Sequence, residues 1–180
     1  MQELKVENNQ NVSLDCAVCG TKNPYSLGAK FYELEGGFVV GVLLGEEHHQ
    51  SFPGRMHGGM ISAIIDETIG RAVQIGHPEK WGVTGELKVR FLKPTPLHKK
   101  LYCFAKLFEE NKWLFKGVAV LESESGELVA TGEATYMKME VDKITNSLDE
   151  KNWFKEDVEL PKSVVFYNDE ELNKLLNKKK

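Results

Sequence analysis

The feature that most constrains the fold is an apolar segment, "HGGMISAIIDETIG", with an acid in its middle. Its apolar residues cover most of the circumference of a helix rather than one stripe, which predicts a helix buried on nearly every side. Burying an unpaired carboxylate is costly, so Asp66 must be either satisfied or used. Three neighbours one turn away are small (Ser62, Ala63 and Gly70), and we expect them to leave room beside the carboxylate for a ligand or a water.

Segments typical of strands surround this helix. "KFYELEGGFVVGVLLG" predicts a hairpin around Glu35-Gly36-Gly37, where paired glycines supply the positive φ that a tight turn needs. After the helix we expect four strands in an antiparallel meander: "WGVTGELKVRFLKP", "KKLYCFAKLFEE", "KWLFKGVAVLES" and "LVATGEATYMKM". The second carries apolar residues on both faces, so we expect another subunit to cover the second face. The predicted fold class is α+β, with a curved antiparallel sheet wrapped around one central helix.

The chain divides into three zones. Residues 1–27 form a polar N-terminal segment with a Cys-x-x-Cys turn, residues 28–139 form the domain, and residues 140–180 form a charged C-terminal extension. The extension contains two short helical candidates, one around Asp149 to Phe154 and one from about Asn168 to Asn177. A length of 180 residues with 41% hydrophobic content fits one domain plus extensions.

Composition excludes several classes of partner. A net charge of −4 gives no general electrostatic footprint for nucleic acid. The N-terminus has no apolar core of a signal peptide, and no apolar run is long enough to span a bilayer, so we expect no membrane partner. The three cysteines do not make a disulfide framework, which fits a reducing compartment. A cytoplasmic location is the simplest expectation.

The start of the helix offers a second chemical feature. If the helix begins near Gly58, its first amides have no intrahelical partners and the positive end of its dipole points outward. Glycines at 58 and 59 let a substrate oxygen approach the backbone closely, which predicts an oxyanion-stabilising site. Glu67 is expected to pair with Arg71 at i+4, whereas Asp66 has no basic residue at i±3 or i±4. A structural role for Asp66 stays open at this point.

Two consecutive stretches carry a family resemblance. "FPGRMHGGMISAIIDETIGRA", followed by "VTGELKVRFLKPTPL", resembles the hotdog-fold acyl-CoA thioesterases of the phenylacetate-degradation and 4-hydroxybenzoyl-CoA type, over roughly residues 16 to 139. The resemblance implies a hotdog fold, here with a short C-terminal helical extension. It implies that the amide of Gly58 binds the thioester carbonyl and that Asp66 acts as general base or nucleophile. Thr84, on the next strand, would help to hold the water. His57 would mainly fix the turn before the helix, with direct proton transfer as the alternative.

The sequence departs from this family at two positions. Relatives often have Asn or Gln six residues before the His, whereas that position is Ser51 here and Gln50 lies one place earlier. Gln50 is therefore a candidate for polarising the carbonyl. Gly70 stands where some relatives of the 4-hydroxybenzoyl type carry a Thr, so that water contact would fall to Thr84.

An acyl-CoA substrate also needs binding groups for its coenzyme A part. Its phosphates require cations, and five lie on or just after the strand that follows the helix: Lys88, Arg90, Lys93, Lys99 and Lys100. Arg90 and Lys93 are the candidates among them, and a solvated strand face is the simpler alternative. Gly59 and Glu67, beside the catalytic candidates on the helix, complete the predicted substrate-binding set.

The spacing of Gly58 and Asp66 constrains how they could act together. Eight helical residues span about 12 Å at ~1.5 Å per residue, too far for both to touch one carbonyl. If both act on one thioester, they come from two antiparallel helices of a homodimer, and a dimer of dimers is left open. The predicted reaction is hydrolysis of a small or medium acyl-CoA thioester, with no metal or cofactor required.

Two other functions are alternatives to thioester hydrolysis. A non-catalytic acyl-CoA-binding protein with the same fold is the main alternative, and it would tolerate loss of Asp66. A hotdog hydratase is disfavoured because its Asp and His at short spacing are not seen.

"CAVCG", containing Cys16 and Cys19, suits a metal knuckle or a redox pair. A metal would have to recruit His48, His49 or a second copy of the chain. The longer stretch "CAVCGTKNPYSLG" resembles an N-terminal turn in a branch of these thioesterases, which implies a structural role. Cys103 is expected in the core.

Overall fold

The secondary structure comes from a computed structural model that describes residues 1–146, 148–149 and 151–179. Single turns of 3₁₀ helix at Glu47–His49 and Ala72–Gln74 flank the longest helix. The strands and α-helices follow in chain order: β1 Gln2–Asn9, β2 Val12–Ser13, β3 Lys30–Leu34, β4 Phe38–Leu44, α1 Gly58–Arg71, β5 Gly82–Phe91, β6 Lys100–Glu110, β7 Leu114–Ser123, β8 Leu128–Lys138, α2 Val141–Ile144, β9 Trp153–Phe154, β10 Ser163–Phe166 and α3 Asp169–Asn177.

Eight strands form one antiparallel sheet in the order β10-β1-β3-β4-β6-β7-β8-β5. The predicted hairpin is confirmed: β3 and β4 pair through a turn in which Gly36 and Gly37 have φ of +76° and +75°. The predicted meander holds for β6, β7 and β8 but is wrong for β5, which pairs with β8 at the edge of the sheet. The physical reason is that β4 already pairs with β6, so β8 offers the free edge.

Helix α1 lies against the inner face of the sheet and contacts β4 to β8. Ile64, Ile65 and Ile69 are fully buried there, and each contributes about 1.5–3 kcal/mol by leaving water. The close approach requires glycine on the sheet, because a Cβ at Gly132 would lie 2.2 Å from Ile65. The opposite side of α1 is only partly buried within one chain, so the expectation of burial on nearly every side is wrong for this side.

The outer face of the sheet is covered by the chain itself. A second apolar cluster forms there, and Phe166 of β10 stacks on Phe104 of β6 at 4.0 Å between ring centroids. Leu172 of α3 is fully buried in the same cluster. The buried carboxylate of Glu122 accepts hydrogen bonds from the backbone amides of Tyr167 and Asn168, which anchors the segment between β10 and α3. The expectation that another subunit covers this face is therefore wrong.

The terminal zones contribute more to the sheet than their polarity suggests. The predicted helix from about Asn168 to Asn177 is confirmed as α3. The other helical prediction, Asp149 to Phe154, is wrong at Trp153–Phe154, which pair with β2 as a strand, and Glu150 lies outside the described residues. Strand β1 was not predicted, because its two buried apolar residues, Leu4 and Val6, give too short an alternation to stand out in a polar segment. None of the described helices has the length and apolar character needed to cross a membrane.

Candidate active site

The carboxylate of Asp66 is held by two hydroxyl groups from neighbouring strands. Tyr136 Oη donates to Asp66 Oδ1 at 2.9 Å and also lies 2.6 Å from its backbone oxygen. Thr84 Oγ1 donates towards Oδ1 at 3.0 Å and Oδ2 at 3.2 Å. Since a hydroxyl has one proton, Oδ2 is the less engaged oxygen and keeps capacity to accept a hydrogen bond from water.

The sheet register brings these two hydroxyl groups together. Thr84 on β5 and Tyr136 on β8 are direct cross-strand partners, and a bulge follows between Thr84 and Glu86. The space that the small neighbours of Asp66 were expected to leave open is partly filled by the Tyr136 ring, which a Cβ at Gly70 would meet at 3.2 Å. Tyr136 is the site residue that sequence reasoning missed, since it reaches Asp66 through the packing of β8 against α1, two segments far apart in the chain.

The surroundings of Asp66 change its acidity. Burial raises the pKa of its carboxyl above the ordinary value, the hydrogen bonds from Tyr136 and Thr84 lower it, and the charge of Glu67 raises it, with a net upward shift. Burial and the Asp66 charge raise the pKa of the Tyr136 phenol, so Tyr136 remains a donor. A carboxylate with a raised pKa is a better proton acceptor than a free aspartate at neutral pH. The cavity beside it measures about 130 Å³ and includes Trp81 and Trp153 in its lining.

The other end of α1 presents a free backbone donor. Gly58 is the first helical residue, as predicted, and within the described ranges no acceptor is found for its amide. The ring of Phe91 lies beside it, at 3.4 Å from the position that a Cβ would occupy. Both line a separate cavity of about 400 Å³. Three apolar side chains around this cavity are unusually exposed, Phe52 at 77%, Phe91 at 52% and Leu92 at 41%.

His57 and Gly59 form the cap of the helix. Nδ1 of His57 accepts the amide of Gly59 at 2.8 Å, so the His57 side chain satisfies one of the helix's unpaired donors. In this arrangement Nδ1 carries no proton and the amide of Gly59 is occupied. The structure thus places His57 in the turn before the helix and leaves Gly58, rather than Gly59, with the available amide.

Gln50 folds back onto its own loop. Its Oε1 accepts the amide of Gly54 at 2.6 Å, and Gln50 forms an isolated bridge with Met56. Ser51, the next residue, lines the cavity at Gly58. The structure gives the Gln50 oxygen a role in closing the loop before α1.

The candidate binding residues lie in different surroundings. Glu67 forms the predicted ion pair with Arg71, at 2.8 Å. Arg90 is exposed on β5, and Lys93 lines the cavity at Gly58 while pairing with Glu127 at 2.8 Å. Lys100, by contrast, lines a cavity of about 750 Å³ between the outer face of the sheet and the C-terminal segment.

Comparison with known proteins finds similarity to one family. Residues 53–130, which include α1, strands β5 to β7 and the first three residues of β8, match the model of the Thioesterase superfamily. This part of the chain is similar to that superfamily. Two relatives of the superfamily region are acyl-coenzyme A thioesterase THEM4 of Rattus norvegicus, 29% identical over 64% of this chain, and acyl-coenzyme A thioesterase 13 of Homo sapiens, 25% identical over 55%. The matches cover 49% of the rat protein and 71% of the human one, so the chain spans about half the length of the rat relative.

Solved structures of other proteins share the fold. A phenylacetic acid degradation-related protein from Ralstonia eutropha is 25% identical, with a TM-score of 0.56 over 62% of this chain and 85% of its own. The PaaI protein of E. coli is 17% identical, with a TM-score of 0.57 over 63% of this chain and 80% of its own. The antiparallel sheet wrapped around α1 is therefore the hotdog fold, as predicted.

Proposed function

We propose that this protein hydrolyses an acyl-CoA thioester to a free acid and coenzyme A. The observation that carries the proposal is Asp66, a carboxylate in the middle of a core helix, held by Thr84 and Tyr136 beside a cavity, with a raised pKa. Within the described residues Asp66 is held by hydroxyl partners rather than by an ion pair. Relatives named acyl-coenzyme A thioesterases support the substrate class.

The proposed reaction uses the two ends of α1 in different ways. Oδ2 of Asp66 accepts a proton from a water as the water oxygen attacks the thioester carbonyl carbon. Alternatively, Asp66 attacks that carbon directly, and after the thiolate leaves, water hydrolyses the resulting anhydride to the free acid and restores the carboxylate. The amide of Gly58 and the positive end of the helix dipole stabilise the oxyanion that develops. The carbon–sulfur bond then breaks and coenzyme A leaves as a thiolate. Because a thiolate is a stable leaving group, it needs little help from an acid.

We further propose that the active site is shared between two copies of the chain. The two groups lie about 12 Å apart along one helix, so a second copy must bring its Gly58 to Asp66. The ten-residue strand β5 pairs with β8 on one side and, among the described strands, with none on the other, and such an edge suits pairing with another copy. The exposed apolar side chains around Gly58 would be covered in the same assembly. A dimer of these dimers would have to use a surface other than the outer sheet face that α3 covers.

The experiment that tests the proposed function measures hydrolysis of a panel of acyl-CoA thioesters by the natural protein and by Asp66→Asn. We expect kcat to fall by about 10²- to 10⁴-fold in the variant, because general base catalysis contributes that much. The asparagine side chain keeps an oxygen that accepts from Tyr136, so the thermal unfolding midpoint should not fall. Burial already raises the pKa of Asp66 in the folded chain, which means that its ionisation disfavours folding.

Two outcomes would contradict the proposal. Equal rates for both proteins would remove Asp66 from the mechanism. If neither protein turns over any thioester of the panel while both bind one, the non-catalytic acyl-CoA-binding function would replace the proposed one.

A further inference from the structure

A second reactive cluster lies beside α1, built around the Cys-x-x-Cys turn. The Sγ atoms of Cys16 and Cys19 and a carboxylate oxygen of Glu67 all lie within 4.8 Å of one another. The amide of Gly20 donates to the carbonyl of Cys16 at 2.9 Å and closes the turn. The first and fourth residues of a tight turn have Cα atoms closer than about 7 Å, a separation that a disulfide can bridge.

The charge in this cluster argues against a metal ion. Nη2 of Arg71 lies 3.2 Å from Cys19 Sγ and 2.8 Å from Glu67 Oε1, so a cation already stands between them. Arg71 is 3% exposed and lies over the ring of Phe31 at 4.0 Å, which fixes it in place. A metal ion would be repelled at this distance. Structural zinc also takes four ligands, whereas the described part of the chain supplies three donors here.

The two candidate metal-ligating histidines, His48 and His49, lie outside this cluster. His49 is buried, and its Nε2 lies 3.2 Å from the carbonyl of Tyr25. The ring of His48 contacts Tyr25 and His49. Neither histidine belongs to the cluster of Cys16, Cys19 and Glu67.

The two thiols differ in a way that suits stepwise oxidation. Sγ of Cys16 accepts the amides of Val18 and Cys19 at 3.3 and 3.4 Å, and Cys16 is partly exposed. Cys19 is 2% exposed. The hydrogen bond from the Cys19 thiol lowers the pKa of Cys16, while the same bond and burial raise the pKa of Cys19. Cys16 is therefore the more exposed and more acidic thiol, and Cys19 is the buried thiol behind it, beside Arg71.

The geometry points to Cys16 and Cys19 as a peroxide-reactive thiol pair, in which Cys16 attacks and Cys19 resolves. The Cys16 thiolate attacks one oxygen of hydrogen peroxide, the O–O bond breaks, and the hydroxide released takes up a proton as water. Cys16 is now a sulfenic acid. The Cys19 thiol loses its proton and attacks the Cys16 sulfur, the S–S bond forms, and the sulfenic oxygen leaves as a second water. Two thiols are oxidised to one disulfide and the peroxide is reduced to two waters.

The experiment treats the reduced full chain with hydrogen peroxide and follows intact mass and free thiols. We expect a loss of about 2 Da, with a peptide map that links Cys16 to Cys19 and leaves Cys103 alkylatable. Cys103→Ser is the matched control and should oxidise like the natural chain, because Cys103 is fully buried in the core. Cys19→Ser should stop at a sulfenic acid on Cys16 that dimedone captures, and Cys16→Ser should form no disulfide within the chain.

Three results would overturn the assignment. One is an unchanged mass under conditions that oxidise free cysteine. Another is alkylation of Cys16 at pH 7 no faster than that of Cys19. The third is one equivalent of zinc in the purified protein that protects both thiols. Peptide mapping of the natural chain decides the matter even if a serine variant fails to fold. None of these measurements depends on hydrolysis of a thioester.

Discussion

The two ends of α1 are organised in opposite ways. At Asp66 the functional group is already held within one chain, by hydroxyl groups from Thr84 and Tyr136. At Gly58 the amide faces a larger cavity without a described acceptor, and the side chains around it include the exposed Phe52 and Phe91. The difference indicates that one chain supplies all the groups that orient the acid, whereas the oxyanion site at Gly58 is still open in a single chain.

This contrast follows from helix physics. Asp66 lies mid-helix, where backbone groups are mutually satisfied, and its carboxylate is held by side chains from β5 and β8. Gly58 lies at the first turn, where an amide is unpaired by geometry and the dipole favours negative charge. A side chain thus orients the acid, while the backbone itself provides the donor. Each end can therefore be changed without touching the other.

After the loss expected for Asp66→Asn, the next largest effect is expected from removing the donor alone with Gly58→Pro. Proline lacks the N–H but is well tolerated at the first position of a helix, and His57 before it already has the extended conformation that proline requires. Loss of one oxyanion donor should lower kcat by about 10²- to 10³-fold. Rates on the best thioester of the panel measure it.

Gly58→Ala is the matched control, because it keeps the amide and adds a Cβ in ordinary contact with Phe91. We expect it to retain most of the natural rate. If both variants lost activity equally while remaining folded, the space at Gly58 rather than its amide would be essential, and the proposed donor would be wrong.

Mixing two variants, each altered at one end of α1, tests whether each active site uses groups from both chains. Asp66→Asn and Gly58→Pro are each expected to be nearly inactive, yet a mixed dimer would join the intact Asp66 of one chain to the intact Gly58 of the other. Random pairing gives half mixed dimers with one working site of two, so activity should return to about a quarter of the natural value. Activity of the coexpressed, refolded mixture is the measurement. A mixture no more active than its parents would place each site within one chain.

Much of this contrast could be predicted from sequence because it is local. The order of Gly58 and Asp66 on one helix, the start of that helix and the ion pair of Glu67 with Arg71 all follow from spacing along a few turns. The hairpin at Gly36 and Gly37 follows from backbone conformation for the same reason. Interactions between residues close in the chain produce spacing patterns that can be recognised in the sequence.

What could not be predicted depends on pairing between distant segments. Tyr136 reaches Asp66 because β8 packs against α1, and Thr84 lies beside Tyr136 because β5 pairs with β8. The alternation within β8 indicates neither contact. Apolar residues of the charged extension, such as Phe166, could pack either onto the domain or over the pocket, and the sequence does not decide between these positions; in the structure Phe166 and Leu172 cover the outer face of the sheet. Each of these contacts depends on which segment of the chain pairs with an edge of the sheet or covers one of its faces. The spacing of apolar residues within one segment carries no information about that choice.

A smaller effect is expected from Tyr136→Phe, which keeps the ring and removes the hydroxyl. Asp66 Oδ1 loses one donor, so kcat should fall by about tenfold, within the range of a hydrogen bond to a charged group. That bond lowers the pKa of Asp66, so its loss raises the pKa further and moves the acid limb of kcat/KM to higher pH. Tyr102→Phe, on the outer face, is the control and should change neither. An unmoved acid limb would mean that Asp66 is not the group titrated in the pH profile.

The smallest effect is expected from Thr84→Val, which removes the second hydroxyl and keeps the shape of the side chain. The bond from Thr84 lowers the pKa of Asp66 less than the bond from Tyr136 does, so the acid limb should move in the same direction by a smaller amount. Thr84→Ser restores the donor and should restore the pH profile. If Thr84→Val lowered kcat far more than Tyr136→Phe without moving the acid limb, Thr84 would act on the attacking water rather than on the carboxylate. In that case the arrangement at Asp66, like the one at Gly58, would be complete only when the thioester and the attacking water are bound.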